Sequence, residues 1–391
     1  MNTQFDLPRR VEFGIVGGGI IGLSLAYELA RRNRRVIVFD DAGRAGNASH
    51  AAAGMVAAAA ESEMEHRGFI ELRRWSRTLY PEFVRGVEAA TGIDCAFRQH
   101  GTIVVALDRD HGVEVARLQV IVREQGFDAV PLTAREVLEL EPNLSGRVVE
   151  GLRLAQDFHI DQRRLVQALR QGAEQASAWV TSDAIVECVD TDGNVRGRRG
   201  ATASQHFEVR CDQVVVAAGS WSAVDLELPF EALPVRPVRG QVVRLQAAHA
   251  LRHVVRTPDV YLVPHAGGEL VLGASVDEQG FDARPSAGAV LDLLRHAWRA
   301  LPMLSECPLL EISVGFRPAA RDHLPILGRI APRVCVATGH YRNGILLAPA
   351  TARVLGQLLC DDVEHELLRD FAPQRFAPRR TPRGESCRES A

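Results

Sequence analysis

The chain of 391 residues contains no lysine, so all 46 of its basic residues are arginines. Without lysine there is no Walker-A phosphate loop, no protein-kinase nucleotide lysine, and no Schiff base with pyridoxal phosphate or a ketone. The guanidinium groups that remain are planar and permanently charged, which suits them to binding carboxylates and phosphates but not to acting as general bases. The sequence therefore excludes several large classes of enzyme and favours the recognition of anions.

Other features are also scarce. The seven cysteines are scattered without a CxxC pair, which predicts reduced thiols in a cytoplasmic protein and no structural zinc or other metal site. The net charge is only −3, and this balance argues against nucleic acid as a partner. No apolar run reaches about 18 residues and the N-terminus is polar, so we expect neither a membrane span nor a signal peptide.

The regular pattern begins with a strand–helix–strand unit. Residues 11–16 predict a strand, an apolar stripe over residues 20–32 predicts a helix, and residues 36–39 predict a second buried strand. Residues 233–276 alternate and are rich in β-branched side chains, which indicates several antiparallel strands. With a length typical of two domains, these patterns predict an α/β fold, a Rossmann-type domain with an interleaved antiparallel-sheet (α+β) domain.

The remaining elements follow from the same periodicities. Residues 131–147 are rich in turn formers and predict irregular structure, and residues 374–391 predict a disordered tail because they lack any apolar period. The other predicted helices span 70–91, 110–126, 160–175 and 287–301 or begin near 344, and the other predicted strands lie at 102–107, 184–189, 206–210, 213–218, 309–316 and 334–337.

A glycine-rich segment lies where the first predicted strand meets the helix. Gly17, Gly19 and Gly22 follow the pattern GxGxxG, which allows a tight turn, close approach of a pyrophosphate, and close packing of helix against strand. Asp40, 18 residues further on at the end of the second strand, can accept hydrogen bonds from ribose hydroxyls. A glycine-rich turn followed by an unrelated aspartate is the simpler alternative. Because the strands, the glycines, the helix and the aspartate occur together in the expected order and spacing, the sequence predicts an adenine-dinucleotide site.

NAD and FAD both fit that fingerprint, and three later segments favour FAD. The small residues 49–55 follow the second strand, where backbone can run beside a flavin. Residues 214–221 form an apolar strand that ends in a turn of small residues, and residues 334–344 lead from a strand into a helix whose N-terminus can face the flavin pyrimidine ring. No second GxGxxG follows residue 22, so we expect electrons to come from a small substrate.

Four motifs along the chain carry a resemblance to a known family. They are Ala48–Met55 (ASHAAAGM), Val260–Pro264 (VYLVP), Gly315–Pro318 (GFRP) and Gly339–Pro349 (GHYRNGILLAP). With them the chain resembles the D-amino-acid-oxidase-like superfamily of FAD-dependent oxidoreductases, and within it the glycine oxidases of thiamine biosynthesis. The resemblance runs from about residue 12 to 376, and the fourth motif is close to a signature of the glycine-oxidase branch.

The resemblance implies that two arginines and a tyrosine hydroxyl hold the substrate carboxylate, and the motifs carry these roles to Arg317, Arg342 and Tyr261. Arg317 follows an apolar strand and Arg342 lies in a glycine-rich turn, and a permanent charge in either place needs a partner. The simpler alternatives are that each arginine is a solvated surface side chain and that Tyr261 is a buried structural residue.

The resemblance also implies which residues bind FAD. They are Gly17, Gly19, Ile20, Ile21, Gly22, Asp40, Ser49, His50, Ala52, Ala53, Gly54, Met55, Val186, Ala218, Gly219, Trp221, Gly339, Tyr341, Arg342, Asn343, Gly344, Ile345 and Leu346. Gly315 stands where related sarcosine oxidases attach FAD to a cysteine, so non-covalent FAD is expected. Those enzymes also use a lysine to assist the reaction with O2. His50 and His340 are alternatives for that role, although histidines that only satisfy hydrogen bonds are the simpler reading.

The activity that the resemblance implies is oxidation of glycine or a similar small amino acid or N-methyl amine, such as sarcosine or D-alanine. A hydride would pass to flavin N5, and O2 is the expected final acceptor, with an imine or 2-oxo acid, ammonia and H2O2 as products. The resemblance also implies that the product feeds the thiazole branch of thiamine synthesis. A D-amino-acid dehydrogenase that reduces quinone, and a flavin-binding subunit or domain that needs a partner chain, are the alternatives.

The resemblance further implies a discontinuous domain organisation and, from the family's habit, a homo-oligomer such as a tetramer. The predicted FAD-binding domain comprises residues 1–92, 148–228 and 318–373, and the predicted substrate-binding domain comprises residues 93–147 and 229–317.

Overall fold

The computed structural model describes residues 7–200, 202–224, 227–228 and 233–376. Of the predicted disordered tail, residues 374–376 belong to a short 3-10 turn (Pro373–Phe376), and residues 377–391 lie outside the described residues. The strands are β1 (Arg10–Val16), β2 (Val36–Phe39), β3 (Met55–Val56), β4 (Thr102–Ala106), β5 (Val130–Thr133), β6 (Glu150–Leu154), β7 (Phe158–His159), β8 (Trp179–Val180), β9 (Ala184–Val189), β10 (Asn194–Arg199), β11 (Gln205–Val216), β12 (Val235–Gln246), β13 (Val254–Arg256), β14 (Tyr261–Pro264), β15 (Glu269–Gly273), β16 (Leu309–Ala320), β17 (Ile326–Ala331) and β18 (Val334–Thr338). The helices are α1 (Ile20–Arg31), α2 (Ala48–Ala51), α3 (Arg67–Thr91), α4 (Arg109–Glu124), α5 (Ala134–Leu140), α6 (Gln162–Gln175), α7 (Ala287–Ala300) and α8 (Gly344–Asp361).

The first sheet has a parallel centre in the strand order β18-β11-β1-β2-β8, with β17 added antiparallel at one edge. Strands β1 and β2 are almost fully buried, as expected for strands covered on both faces. Helix α1 is apolar on nearly all sides because it packs among the sheet, α6 and α8. The strand–helix–strand unit predicted from the sequence is thus confirmed, together with the α/β fold class.

The second sheet is mainly antiparallel and has the order β16-β12-β15-β14-β13-β4-β6-β5. One face packs against α5 and α7 in a core that includes Leu293 and Ala297. On the other face, Val242, Val263 and Val271 pack against Ala53 from the segment between β2 and α3. This second face therefore meets the dinucleotide-binding half of the molecule.

The distribution of strands bears on the predicted domain boundaries. A boundary at residue 148 would separate β6 from β4 and β5, with which it pairs in the second sheet. A boundary between residues 317 and 318 would cut through β16, which continues to Ala320 beside β12. The two-domain division itself stays a prediction.

Two local predictions are wrong. Residues 131–147 contain β5 and α5 rather than only turns, because Thr133 and Glu136 form a capping box that starts a short helix. The strands predicted at 206–210 and 213–218 are one strand, β11, whose first half forms a hairpin with β10. Within the described residues, no helix is both long and apolar enough to cross a membrane.

A buried carboxylate anchors the segment that follows β3. Asp157 is fully buried and accepts hydrogen bonds from the backbone N–H groups of Ala59 and Ala60, each at 2.9 Å. Burial raises the pKa of Asp157 to about 6, against the lowering effect of these two donors and of Arg73. The carboxylate thus fixes the backbone that leads to the candidate site.

This raised pKa predicts a pH-dependent stability. An aspartate has a pKa near 3.9 in the unfolded chain, so the folded protein holds the Asp157 proton more tightly. The contribution of Asp157 to the unfolding free energy is therefore present at low pH and is lost as the pH rises through about 6. Relative to Asp157→Asn, the parent should therefore lose about 2 kcal/mol of unfolding free energy between pH 4 and pH 7. Urea unfolding across that range measures the difference, with Asp292→Asn at an exposed site as the control. A pH-independent difference would contradict the prediction.

Candidate active site

A cavity of about 250 Å³ lies between the two sheets. On one side it is lined by residues at the carboxyl ends of four parallel strands, β2, β1, β11 and β18. On the other side it is lined by residues of β12, β14 and β16 from the second sheet. The first residues of α1 and α8 also reach it, so two helix N-termini face the same space. Ligands of open α/β sheets bind at this edge of the strands.

The glycine loop leaves room for a ligand because its backbone is packed tightly. Gly17 has a φ of +110°, and a Cβ there would lie 2.5 Å from the carbonyl oxygen of Ala217. A Cβ on Gly18 would lie 2.4 Å from the Asp40 carboxylate, and one on Gly22 would lie 2.0 Å from the carbonyl oxygen of Gly17. Side chains at these three positions are excluded, so only backbone borders the cavity here.

Asp40 closes the end of this loop. One carboxylate oxygen accepts from the Gly18 N–H at 2.9 Å, and the other accepts from the Arg170 guanidinium at 2.8 Å. The carboxylate also lines the cavity, and its oxygens keep lone pairs that ribose hydroxyls can use. Arg170 was not anticipated from the sequence, because it comes from α6, 130 residues further on.

Side chains in or directly after strands of the second sheet contact the backbone of the small-residue segment, residues 49–55, which forms part of the cavity wall. The carbonyl oxygen of Ala52 accepts from Arg244 at 3.2 Å, and that of Ala53 lies 2.9 Å from His265 Nε2. Gly54 has a φ of +79°, and a Cβ there would lie 1.9 Å from the Ile160 carbonyl oxygen. The segment therefore presents small side chains to the cavity while its carbonyl groups are satisfied elsewhere.

Arg317 and Tyr261 come from neighbouring parts of the second sheet. The Arg317 guanidinium donates a hydrogen bond to the carbonyl oxygen of Ser275 at 3.0 Å. It also packs on Gly240, since a Cβ at that position would lie only 2.5 Å from the guanidinium. Tyr261 is half-buried, and desolvation raises the pKa of its hydroxyl, with Arg317 acting in the opposite direction. The phenol is therefore a neutral donor at physiological pH.

Arg342 reaches the cavity from the turn before α8. It donates a hydrogen bond to Glu63 and lies over the Tyr341 ring, 5.3 Å from its centre. Burial opposes its charge, but Glu61 and Glu63 more than compensate and raise the pKa of Arg342. Its Nε is buried and has no partner within the part of the chain that the structure describes, which is typical of a group that meets a ligand.

Most of the predicted site residues line this one cavity. They are Gly17, Gly19, Ile20, Ile21, Asp40, Ser49, Ala52, Ala53, Gly54, Met55, Val186, Ala218, Gly219, Trp221, Tyr261, Arg317, Tyr341, Arg342, Gly344 and Ile345. Their roles in binding stay predictions, but the structure brings residues from all four motifs into a single space.

Five predicted residues do not line it. Gly22 packs under the loop, and Gly339 forms the turn after β18 with a φ of +74°. His50 points outwards towards Glu311, 3.8 Å away, and its side chain is 60% exposed. Asn343 is buried at the start of α8, and Leu346 lies in the apolar core, where its carbonyl oxygen accepts from Ser76.

The cavity also includes residues that the sequence did not single out. Gly18, Arg44, Asn47, Glu61, Gly240 and Phe316 all contribute to its wall. Glu61 matters most, because the sequence offered no obvious carboxylate for this site and Glu61 interacts with both Tyr261 and Arg342. His340 also lines the cavity, but its Nε2 lies 3.1 Å from the Thr351 hydroxyl, and burial lowers its pKa to about 3. It is therefore a neutral, hydrogen-bonded histidine.

Residues 12–358 match the family model for FAD-dependent oxidoreductases of the DAO type, and the chain belongs to this family. It is 33% identical to a glycine oxidase from Geobacillus kaustophilus, over 94% of this chain and 97% of the relative. It is 32% identical to a bifunctional protein ThiO/ThiG from Synechocystis, over 96% of this chain but only 55% of that protein. The crystal structure of glycine oxidase from Geobacillus kaustophilus superposes with a TM-score of 0.84 at 31% identity, covering 95% of this chain and 100% of the other. The protein is thus an FAD-dependent enzyme of the amino-acid oxidase family.

The residues present fit FAD. The backbone of Gly17 and Gly18 borders the cavity because no side chain fits at either position, two helix N-termini face the cavity, and Asp40 stands where a ribose is expected. The same cavity is lined by Arg342, whose buried Nε has no partner among the described residues, and by the half-buried Tyr261, and both side chains offer donors. The cavity therefore accommodates the cofactor at one end and a small anion at the other.

The glycine cradle predicts a loss of FAD binding in Gly22→Ala. The added Cβ would press on the Gly17 carbonyl oxygen and push α1 away from the loop, at a cost of about 1–3 kcal/mol in unfolding free energy. Flavin absorbance per chain after gel filtration measures cofactor content. Gly146→Ala is the control, because a Cβ there has no neighbour within 4 Å. Equal FAD content in the two variants would contradict the assignment of this loop to the cofactor.

Proposed function

We propose that the protein oxidises the Cα–N bond of glycine or of a similarly small amino acid or N-methyl amine, such as sarcosine or D-alanine. The observation that carries this proposal is that Arg317, Arg342 and Tyr261 line one end of the cavity whose other end fits FAD. The likeness to glycine oxidases supports it, since their names state that substrate.

The three donors would bind the substrate carboxylate. Each guanidinium offers a planar pair of N–H donors, and the neutral Tyr261 hydroxyl adds a third direction. Holding the carboxylate at this end orients Cα–H towards the flavin, and this positioning contributes to rate because the reacting groups meet in a fixed geometry. Bound FAD supplies the two-electron acceptor for the hydride.

The amine end needs a different partner. A hydride leaves Cα most readily when the nitrogen is neutral, so the ammonium group must first lose a proton. The Glu61 carboxylate lines the same cavity and can accept that proton through its oxygen atoms or attract the ammonium group. The resulting imine would hydrolyse to a 2-oxo acid and ammonia, with O2 reduced to H2O2. A role in the thiazole branch of thiamine synthesis is part of the same proposal.

A different electron acceptor is the second candidate. The complete absence of lysine removes the residue that related oxidases place beside the flavin for reaction with O2. The chain is also 28% identical to the hydrogen cyanide synthase subunit HcnC from Pseudomonas aeruginosa, over 97% of this chain and 98% of that subunit, and this relative is named as a subunit of a larger enzyme. A dehydrogenase that passes electrons to quinone, or a flavin subunit with a partner chain, is therefore the alternative.

Replacing Arg342 tests the proposed carboxylate site. Loss of one half of a buried ionic contact costs about 3–5 kcal/mol, so Arg342→Ala should lower kcat/KM for glycine by about 10²–10³-fold. The second-order rate constant for bleaching of the flavin by glycine under anaerobic conditions measures the reductive half-reaction, which should show the same loss. Arg67→Ala is the control, because that side chain is 91% exposed and pairs with Glu71 on α3. Unchanged turnover in Arg342→Ala would remove it from the site.

The electron acceptor is tested on the parent enzyme. Glycine, sarcosine and D-alanine are each supplied, and O2 consumption is compared with reduction of an artificial dye. An oxidase should consume O2 at a rate comparable with dye reduction. Dye reduction with little O2 consumption would instead favour the dehydrogenase.

A further inference from the structure

Residues 57–66, the strap, connect β3 to α3 and cross the carboxylate-binding end of the cavity. The inner half of the strap is fixed, because Arg73 donates to the Ala58 carbonyl oxygen at 2.7 Å and Arg256 donates to that of Ala60. The outer half carries glutamates at alternate positions 61, 63 and 65. Glu65 pairs with the buried Arg73, and Glu61 faces the cavity, which leaves Glu63 between them.

Glu63 contacts Arg342 from the solvent side. Its carboxylate accepts a hydrogen bond from an Arg342 terminal nitrogen, and its carbonyl oxygen accepts from Gln125 at 2.6 Å. Burial would raise the pKa of Glu63, but Arg342, Arg256 and Arg73 together bring it below its usual value. The glutamate is therefore ionised at physiological pH, while 62% of its side chain remains exposed.

Arg317 and Arg342, the two arginines proposed to bind the substrate carboxylate, differ in how far nearby carboxylates neutralise their charge. The hydrogen bonds of Arg317 run to the backbone carbonyl oxygens of Ser275 and Arg239, which do not neutralise its charge. The outer edge of Arg342 already carries a carboxylate, and Glu61 lies on the cavity side. Three arginines (256, 317 and 342) thus face two glutamates (61 and 63), which leaves one positive charge in excess.

We propose that Glu63 is a specificity-determining residue that restricts the site to substrates with a single carboxylate. One excess positive charge matches one substrate carboxylate. A second carboxylate on the same small molecule would approach the outer edge of Arg342, where the Glu63 carboxylate repels it and already occupies the donor. The proposal rests on the proposed function, because it takes Arg342 as the group that binds the substrate carboxylate.

The test compares matched pairs of ligands on the FAD-loaded enzyme. Acetate and malonate are not oxidised and differ by one carboxylate, so calorimetric titration gives the ratio of their dissociation constants without turnover. Sarcosine and iminodiacetate share an N-carboxymethyl group and also differ by one carboxylate, so the ratio of their kcat/KM values gives the same comparison during turnover. The proteins are the parent, Glu63→Gln, Glu63→Asp, and the control Glu71→Gln on the exposed face of α3.

Glu63→Gln should reduce the preference for acetate over malonate, and for sarcosine over iminodiacetate, by about fivefold. This is the size of one unit-charge repulsion at close range near water. Glu63→Asp keeps the charge and should retain most of the preference, and Glu71→Gln should leave it unchanged. A preference in Glu63→Gln equal to that in Glu71→Gln overturns the proposal, and so does an equal weakening of all ligands, which would mean that Glu63 only positions Arg342.

The measurements distinguish failure of the proposed reaction from failure of the proposed role of Glu63. If no amine is oxidised but Glu63→Gln still shifts the acetate-to-malonate ratio, the inference about Glu63 holds and the proposed reaction is wrong. If amines are oxidised and neither ratio moves, the reaction stands and the inference is wrong. If the parent oxidises no amine and binds neither acetate nor malonate, both are wrong.

Discussion

The site depends first on the contact between two backbone segments at the end of the first sheet. Parallel pairing of β1 with β11 brings Gly17 against the carbonyl oxygen of Ala217, at a spacing that no side chain on Gly17 could enter. The start of α1 is then fixed by Gly22, which packs on the Gly17 carbonyl oxygen. The cradle for the dinucleotide, and hence the position of everything beyond it, depends on this bare stretch of main chain.

A second glycine contact determines where Arg317, which also lines the cavity, can lie. Gly240 on β12 pairs beside β16, and the Arg317 guanidinium lies in the space that a side chain at position 240 would take. The arginine is therefore held flat against the sheet by carbonyl oxygens rather than by an acidic partner. Its full charge stays available to a ligand, which is an arrangement that pairing with a buried carboxylate would have prevented.

Local sequence patterns predicted the parts of this protein that depend on local chemistry. The glycine loop, Asp40 and the apolar strands are each defined by residues close together in the chain, and the family motifs added Tyr261, Arg317 and Arg342. Contacts between distant segments were not predictable in this way. Arg170 reaches Asp40 from another helix, and Glu61 and Glu63 acquire their partners only when the strap crosses the second sheet and α8. His50 lay in the right motif but on the outward side of a one-turn helix, which periodicity over four residues cannot resolve.

Because both sheets line the cavity, FAD bound there would contact both halves of the fold, as an interior side chain does. A ligand that binds only the folded state adds stability by mass action, about 2.7 kcal/mol when its free concentration is 100 times its dissociation constant. By the same relation, a larger supply of free FAD would favour the folded state of this protein. A shortage of flavin would lower the abundance of this enzyme as well as its occupancy.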